Sequence, residues 1–159
     1  MLLVTLSVNN DTFGLDAENI IEIIPVIPLQ HVPLSSDYIA GLFDYHGKMV
    51  PVIDLCKLFE NRDSRMLFST RIILINYKKE NNEYVLGVIA ENITECIKVN
   101  DADFVRTGVS VRKGKLLGEV ASIDGQMIQR INIEALLPDE VHEILFNDMN
   151  ATAQPEVVA

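Results

Sequence analysis

Phe13-Gly14-Leu15-Asp16-Ala17-Glu18-Asn19-Ile20-Ile21-Glu22-Ile23-Ile24 returns later in the chain as Leu86-Gly87-Val88-Ile89-Ala90-Glu91-Asn92-Ile93-Thr94-Glu95-Cys96-Ile97. Gly, Ala, Glu, Asn, Ile, Glu and Ile coincide in place. A second pair follows in the same order: Gly47-Lys48-Met49-Val50-Pro51-Val52-Ile53-Asp54-Leu55-Cys56-Lys57-Leu58-Phe59 against Gly125-Gln126-Met127-Ile128-Gln129-Arg130-Ile131-Asn132-Ile133-Glu134-Ala135-Leu136-Leu137. One such match is within reach of chance in a chain rich in Val and Ile. Two collinear matches point to an internal duplication. The period is too long for a solenoid. The expectation is therefore two similar β-rich halves packed face to face, each too small to be stable alone.

Working outward from the repeat, β-branched runs bounded by turn residues read as strands. Leu2 to Val8 alternates in part and turns at Asn9-Asn10-Asp11 into a strand over Thr12 to Leu15. Asp16 to Asn19 is a bend or one helical turn. Ile20 to Ile27 resumes an extended run, and Pro28 to Asp37 is a loop. Tyr38 to Tyr45 and Met49 to Ile53 are strands around a turn at His46-Gly47-Lys48. Asp54 caps a short helix ending near Phe59, because its carboxylate can accept the orphan N–H groups there. Glu60 to Ser69 is a polar surface loop and the expected flexible break. Arg71 to Tyr77 and Tyr84 to Ala90 form a hairpin across residues 78–83, and Ile93 to Val99 is another strand. Asn100 to Gly114 is a charged connection. Lys115 to Ile123 and Met127 to Ile133 form a hairpin at Asp124-Gly125, a dipeptide suited to the positive φ of a two-residue turn. A helix over Asp139 to Phe146 places Val141, Ile144 and Leu145 on one face.

Composition removes several function classes. The 159 residues carry a formal charge of −10 with 13 basic residues. Duplex binding draws its affinity from clustered Lys and Arg, and anionic membranes ask for the same, so neither nucleic acid nor direct membrane insertion is expected. No apolar run reaches membrane-spanning length, and the N-terminus lacks a secretory pattern. The Asn-x-Thr triplets at Asn10, Asn92 and Asn150 therefore carry no glycosylation signal. Cys56 and Cys96 lack metal or redox spacing and read as two half-buried thiols of a reducing compartment.

No catalytic motif is present: no Gly-x-Ser-x-Gly elbow, no His-Glu-x-x-His, no phosphate-cradling glycine loop. His31 reads as a loop residue and His142 as lying on the wet face of the last helix. Two positions invite a functional reading. Glu22 is a lone acid among isoleucines, either an ordinary solvent-facing strand position or an acid presented to a partner. His46 precedes Gly47 at a tight turn, where an ordinary exposed turn residue is the bland alternative.

Phe13 to Ile24, Val32-Pro33, Tyr38-Ile39-Ala40-Gly41-Leu42-Phe43, Gly47 and Val50-Pro51-Val52-Ile53-Asp54-Leu55 resemble the CheW-like domain. Gly87-Val88-Ile89, Ile93 and Asn132 to Leu137 fit its second half, so the resemblance runs from about Leu2 to Leu137. It implies an all-β fold of two SH3-like five-stranded β-barrel subdomains around a shared hydrophobic core, with short helices including one at the C-terminus. A single domain over 1–147 is expected, with pseudo-repeat halves of about 9–68 and 69–137 and exchange of the first strand between them left open. Residues 148–159 would be a flexible tail. The resemblance further implies a non-catalytic, cofactor-free cytoplasmic adaptor, associated with membrane receptor arrays through its partners. Those partners are the regulatory domain of a histidine autokinase and the helical cytoplasmic tip of a methyl-accepting chemoreceptor, the latter in a hydrophobic groove between the barrels. Ile20 and Glu22 match strand positions implicated in kinase contact, and Gly41 a glycine implicated in partner binding. His46 stands where the family usually has Arg, so the forked, permanently charged contact of that Arg is lost. Asp44-Tyr45-His46-Gly47 and Ser69 to Leu74 also resemble adaptors of surface-sensing or second-messenger pathways. A reading from another class is a small carboxylate-dependent enzyme with a cleft between the halves.

Overall fold

In a computed structural model of the chain, residues 1–33, 36–106 and 116–147 are described. Eleven strands occur there: β1 (Leu2–Val8), β2 (Asp11–Asp16), β3 (Ile20–Pro25), β4 (Ile39–Tyr45), β5 (Lys48–Asp54), β6 (Arg71–Lys79), β7 (Asn82–Ala90), β8 (Asn92–Lys98), β9 (Phe104–Arg106), β10 (Glu119–Ile123) and β11 (Gln126–Arg130). They form a six-stranded sheet, β8-β1-β2-β11-β10-β9, and a five-stranded sheet, β3-β6-β7-β5-β4. The expected all-β class with two SH3-like units is what the chain adopts. The sixth strand is a correction. Phe104–Arg106 lies in a stretch read as a connection, yet it pairs with β10 and places Val105 opposite Val120.

The repeat is visible bond by bond. β11 runs parallel to β2 with Arg130 opposite Gly14, and β5 runs parallel to β7 with Val52 opposite Gly87. These are the same positions of the two copies. A Cβ on Gly14 would collide with Leu3, and one on Gly87 with Val52. The turns of β4–β5 and β10–β11 match too, with φ of 52° and 88° at His46-Gly47 against 51° and 79° at Asp124-Gly125. Both are two-residue turns of the kind that fits strand twist. The β3–β6 and β8–β1 pairings share a register break at one place, Ile20/Glu22 in the first and Ile93/Glu95 in the second. Each sheet thus joins the first hairpin of one copy to the later strands of the other.

The apolar residues fall into three clusters among the described residues. The largest lies between the sheets and includes Leu6, Phe13, Ile53, Phe59, Ile73, Ile75, Tyr77 and Leu86. A second fills the five-stranded sheet with Phe43, Val50, Val52, Ile72, Leu74 and Ile89. A third fills the six-stranded sheet with Leu3, Val99 and Ile128, with Ile97 and Phe104 from its opposite edge strands packed on it. Each sheet therefore curls round its own interior while sharing a core with the other. This is why Ile72-Ile73-Leu74-Ile75 is an unbroken apolar run: successive side chains of β6 face two different interiors. Each such residue contributes about 1.5–3 kcal/mol through burial.

The stretch read as a flexible break is strapped down. After α1 (Leu55–Glu60), capped as expected by Asp54 at Cys56 N and Lys57 N, the chain folds back over it. Ser64 N donates to Asp54 Oδ2 at 2.8 Å, and Ser64 Oγ donates to Asp54 Oδ1. Glu91, 3% exposed, accepts from Arg62 Nη2 at 2.7 Å, from Arg65 N and Nε at 3.0 Å each, and from Cys56 Sγ. The Arg62 guanidinium, seconded by Arg65, holds the Glu91 carboxyl well below the usual carboxylate range despite its burial.

Other expectations shift as well. β6 and β7 meet at a two-residue turn, Glu80-Asn81, inside the stretch read as a six-residue connection. Asn100–Gly114 contains a 3-10 turn at Asp101–Asp103 ahead of β9. The last helix is α2 (Asp139–His142), which widens into a π turn at Glu143–Asn147. His142 is not on a wet face: its ring packs on Tyr77, Tyr84 and Phe146. Cys56 is buried and Cys96 exposed rather than both half-buried. The tail 148–159 and the strand start at Lys115 lie outside the described residues.

Glu91→Gln is expected to destabilise the fold by about 3 kcal/mol, because two guanidinium groups lose a buried partner. A depressed folded pKa gives stability that is present above the unfolded value of about 4.3 and lost as pH falls below it. Urea titrations at several pH values should therefore show the gap between wild type and Glu91→Gln closing in acid; a gap independent of pH would count against this role.

Candidate partner-docking site

β3 is an outer strand that pairs with β6 alone among the described strands. Its sequence, Ile20-Ile21-Glu22-Ile23-Ile24-Pro25, is too apolar for an ordinary exposed edge, which polar residues usually guard. The bulge at Ile21 decides which side chains show. Ile20 packs on the core between the sheets, and Ile24 packs on the interior of the five-stranded sheet. Ile21 and Ile23 are left 46% and 41% exposed.

Glu22 reaches across the seam where the five-stranded sheet closes on itself. Its Oε2 accepts from Tyr45 Oη at 2.6 Å, although β3 and β4 are the two opposite edges of that sheet. The Glu22 carboxylate pushes the Tyr45 hydroxyl pKa up, so Tyr45 stays protonated and donates. His46, exposed at the turn, sets its ring edge-on to Tyr45 with centroids 4.4 Å apart. The Asp44 carboxylate braces the turn by accepting from Gly47 N at 2.8 Å.

Of the four residues singled out in the sequence, Glu22 and His46 come together through Tyr45. Ile20 is half-buried and faces inward. Gly41 is buried, with φ of 153°, and a Cβ there would lie 2.6 Å from Gln30 O and 2.8 Å from Leu29 Cβ. It lets residues 29–30 cross β4, where Gln30 and Leu42 exchange backbone hydrogen bonds of 2.8 Å. Its role is to shape the site from behind. Sequence reasoning passed over Ile21, Ile23 and Tyr45. The Ile-rich edge was visible as composition, but the bulge that turns two isoleucines outward was not.

The duplicated edge, β8, is a built-in comparison. Its Thr94 occupies the bulge position of Ile21 and shares a hydrogen bond of 2.6 Å with the Thr5 hydroxyl. Cys96 stands for Ile23. The polar edge and the apolar edge thus have one backbone plan and different surfaces.

A cleft of about 1760 Å³ lies between the sheets, lined by apolar residues such as Leu58, Leu136 and Leu137 and by charged ones such as Lys57 and Arg130. Of the five carboxylates among the described residues that line it, Asp16 and Glu119 are engaged by Arg130, at 2.7 and 3.0 Å, and Asp37, Glu80 and Glu134 are the others. Among the described residues no group of three or more His, Cys, Asp or Glu could hold a metal ion, and no helix is long and apolar enough to cross a membrane.

The family model of the CheW-like domain matches residues 2–141. Among characterised relatives, "Chemotaxis protein CheW" of Helicobacter pylori is 24% identical over 60% of this chain and 56% of its own length. That of Treponema pallidum is 25% identical over 64% of this chain and 59% of its own length, so the match spans under two thirds of both. "Protein FrzA" of Myxococcus xanthus is 27% identical over 78% of this chain and 77% of its own. The crystal structure of the scaffolding protein TtCheW from Thermoanaerobacter tengcongensis superposes with a TM-score of 0.77 at 23% identity, covering 91% of this chain and 97% of that one.

Gly41→Ala is expected to cost about 1–3 kcal/mol through backbone strain and the clash with Gln30, read as a lowered urea midpoint. Tyr45→Phe should leave the midpoint near that of wild type, since the bond it removes is exposed. Equal midpoints for Gly41→Ala and wild type would refute the shaping role of Gly41.

Proposed function

The chain belongs to the CheW-like domain family, and from that premise we propose that it is a non-catalytic adaptor that couples chemoreceptors to a histidine autokinase. The family match over residues 2–141 carries the reading. The regulatory domain of the kinase docks on the apolar edge of β3, against Ile21, Glu22 and Ile23, with His46 beside them. The helical tip of the receptor lies in the cleft between the sheets, where apolar anchors meet charged rims. The contrast between the two duplicated edges supports this choice: Ile21 and Ile23 are large apolar groups held in the open, whereas Thr94 is satisfied within its own sheet. Exposed apolar groups with a polar rim mark binding sites.

Docking rather than catalysis also suits the cleft. Two of its carboxylates, Asp16 and Glu119, are tied to Arg130 in an ion cluster that braces its wall. His46 supplies an exposed imidazole where Arg is usual. A carboxylate on the kinase would gain from His46 a single hydrogen bond in place of the two-pronged contact an Arg can make. Choice of kinase then rests more heavily on the isoleucines and Glu22.

Ile23→Asp and Glu22→Arg are each expected to weaken the kinase regulatory domain by about thirtyfold, equal to about 2 kcal/mol at a hot-spot position. Cys96→Asp on the duplicate edge serves as the control and should bind normally. Ile20→Asp is a poorer probe, since Ile20 packs on the core and its loss would disturb the fold. Titration calorimetry measures the affinities and circular dichroism checks folding. A wild-type affinity for well-folded Ile23→Asp would remove the β3 edge from the reading.

A further inference from the structure

The loop after α1 holds Met66, Leu67 and Phe68 in the open, 63%, 47% and 102% exposed, and it is built to do so. Thr70 N donates to Leu67 O at 3.1 Å, closing a turn with Phe68 at its tip. The Thr70 hydroxyl accepts from Leu67 N at 3.0 Å and donates to Arg65 O at 2.6 Å. Arg71 Nη1 donates to Phe68 O and Thr70 O, and Ser69 Oγ donates to Glu91 O at 2.6 Å. A ring held out in advance loses little freedom when it binds, which favours a docking role.

The ring does not stand alone. Arg71, whose side chain holds the tip of the loop, begins β6 and lies opposite Pro25 at the end of β3. From Ile23 onward the chain alternates. Ile24 and Val26 pack on the interior of the five-stranded sheet, while Ile23 and Ile27 are left 41% and 36% exposed, with Pro25 exposed between them. The apolar edge of β3 therefore runs on towards the loop. Strand rise, strand spacing and three residues of chain keep Ile23 and Phe68 within about 23 Å of each other. A standard interface covers about 800 Å² on each partner, a patch about 30 Å across, so one partner can cover both. The two ends of this face differ in charge. Glu22 marks one end, whereas Arg71 and Arg65 flank the loop at the other, and Arg65 stays 68% exposed while its Nε is bound to Glu91.

We propose that the Phe68 knuckle is the second anchor of the kinase-docking face: the regulatory domain that covers Ile23 also takes the Phe68 ring, in an apolar pocket rimmed by carboxylates that face Arg65 and Arg71. This rests on the kinase-docking reading of the β3 edge and adds to it an anchor and the chemistry of the surface that receives it. Aromatic anchors in desolvated pockets carry a large share of binding energy, and Phe68 is the aromatic ring this face offers.

Titration calorimetry of the full chain with the intact kinase, beside melting curves, tests the anchor. Phe68→Ser is expected to weaken binding about tenfold with an unchanged melting curve, and Phe68→Leu to recover most of the loss. Wild type should lose more affinity than Phe68→Ser as salt is raised, because the variant no longer seats the arginines. Oxidation by dilute peroxide, read by mass spectrometry, gives a second view. Met66 should be protected in the complex, while Met127, 64% exposed on the other sheet, should oxidise as in the free chain. If Ile23→Asp weakens binding and Phe68→Ser does not, the knuckle proposal is overturned and the β3 reading stands. If Phe68→Ser alone weakens it, the shared face is overturned. A wild type that does not bind the kinase removes the β3 reading and this proposal together. Equal salt dependence of wild type and Phe68→Ser, or unprotected Met66, also overturns the proposal.

Discussion

Two short parallel ladders hold the structure together, β2 against β11 and β7 against β5. Each has three paired positions, and each joins the first hairpin of one repeat to the last hairpin of the other. A lone hairpin is marginal in water, so neither repeat could close its own sheet. The ladders also explain Gly14 and Gly87. A side chain there would push against Leu3 or Val52 and part the strands at the place where the repeats are joined. Reciprocal pairing, not two independent barrels, is what lets three small apolar clusters act as one interior.

Duplication creates equivalent positions, and the chain has since given them different chemistry. Val52 fills the interior of the five-stranded sheet, while its counterpart Arg130 holds Asp16, Asp101 and Glu119 at the open end of the six-stranded sheet and lies 5.3 Å from the Phe104 ring centroid. Ile21 and Ile23 make one edge apolar, while Thr94 and Cys96 leave the other polar. Asp54 and Asn132 still do the same work, each accepting from the backbone two residues on. Backbone duties were retained where the fold required them, and surfaces diverged where it did not.

Local features were readable in the sequence and distant ones were not. The Asp124-Gly125 turn, the Asp54 cap and the strand from Leu2 to Val8 depend on adjacent residues, and the text of the repeat announced the two-sheet plan. Glu91 was a letter in that repeat and nothing more, because its partners stand 29 and 26 positions away. The same applies to Tyr45 and Glu22, 23 positions apart. The loop 60–69 looked flexible for lack of apolar residues in its middle, whereas a buried carboxylate organises it. β9 is too short to declare itself by alternation and exists because β10 offers a free edge. Of the four candidate residues, Glu22 and His46 are exposed, whereas Ile20 and Gly41 lie beneath the surface.

On the proposed function, information passes through the chain by biasing which arrangement its partners adopt. A soft adaptor would absorb the displacement it should transmit. Interiors packed on both faces of β6, together with a loop clamped on Glu91, give this chain few internal alternatives. On the proposed function, docking surfaces on the β3 edge and in the cleft would then be related by fixed geometry. A close-packed interior transmits strain, so on that reading a shift of one partner is passed on to another.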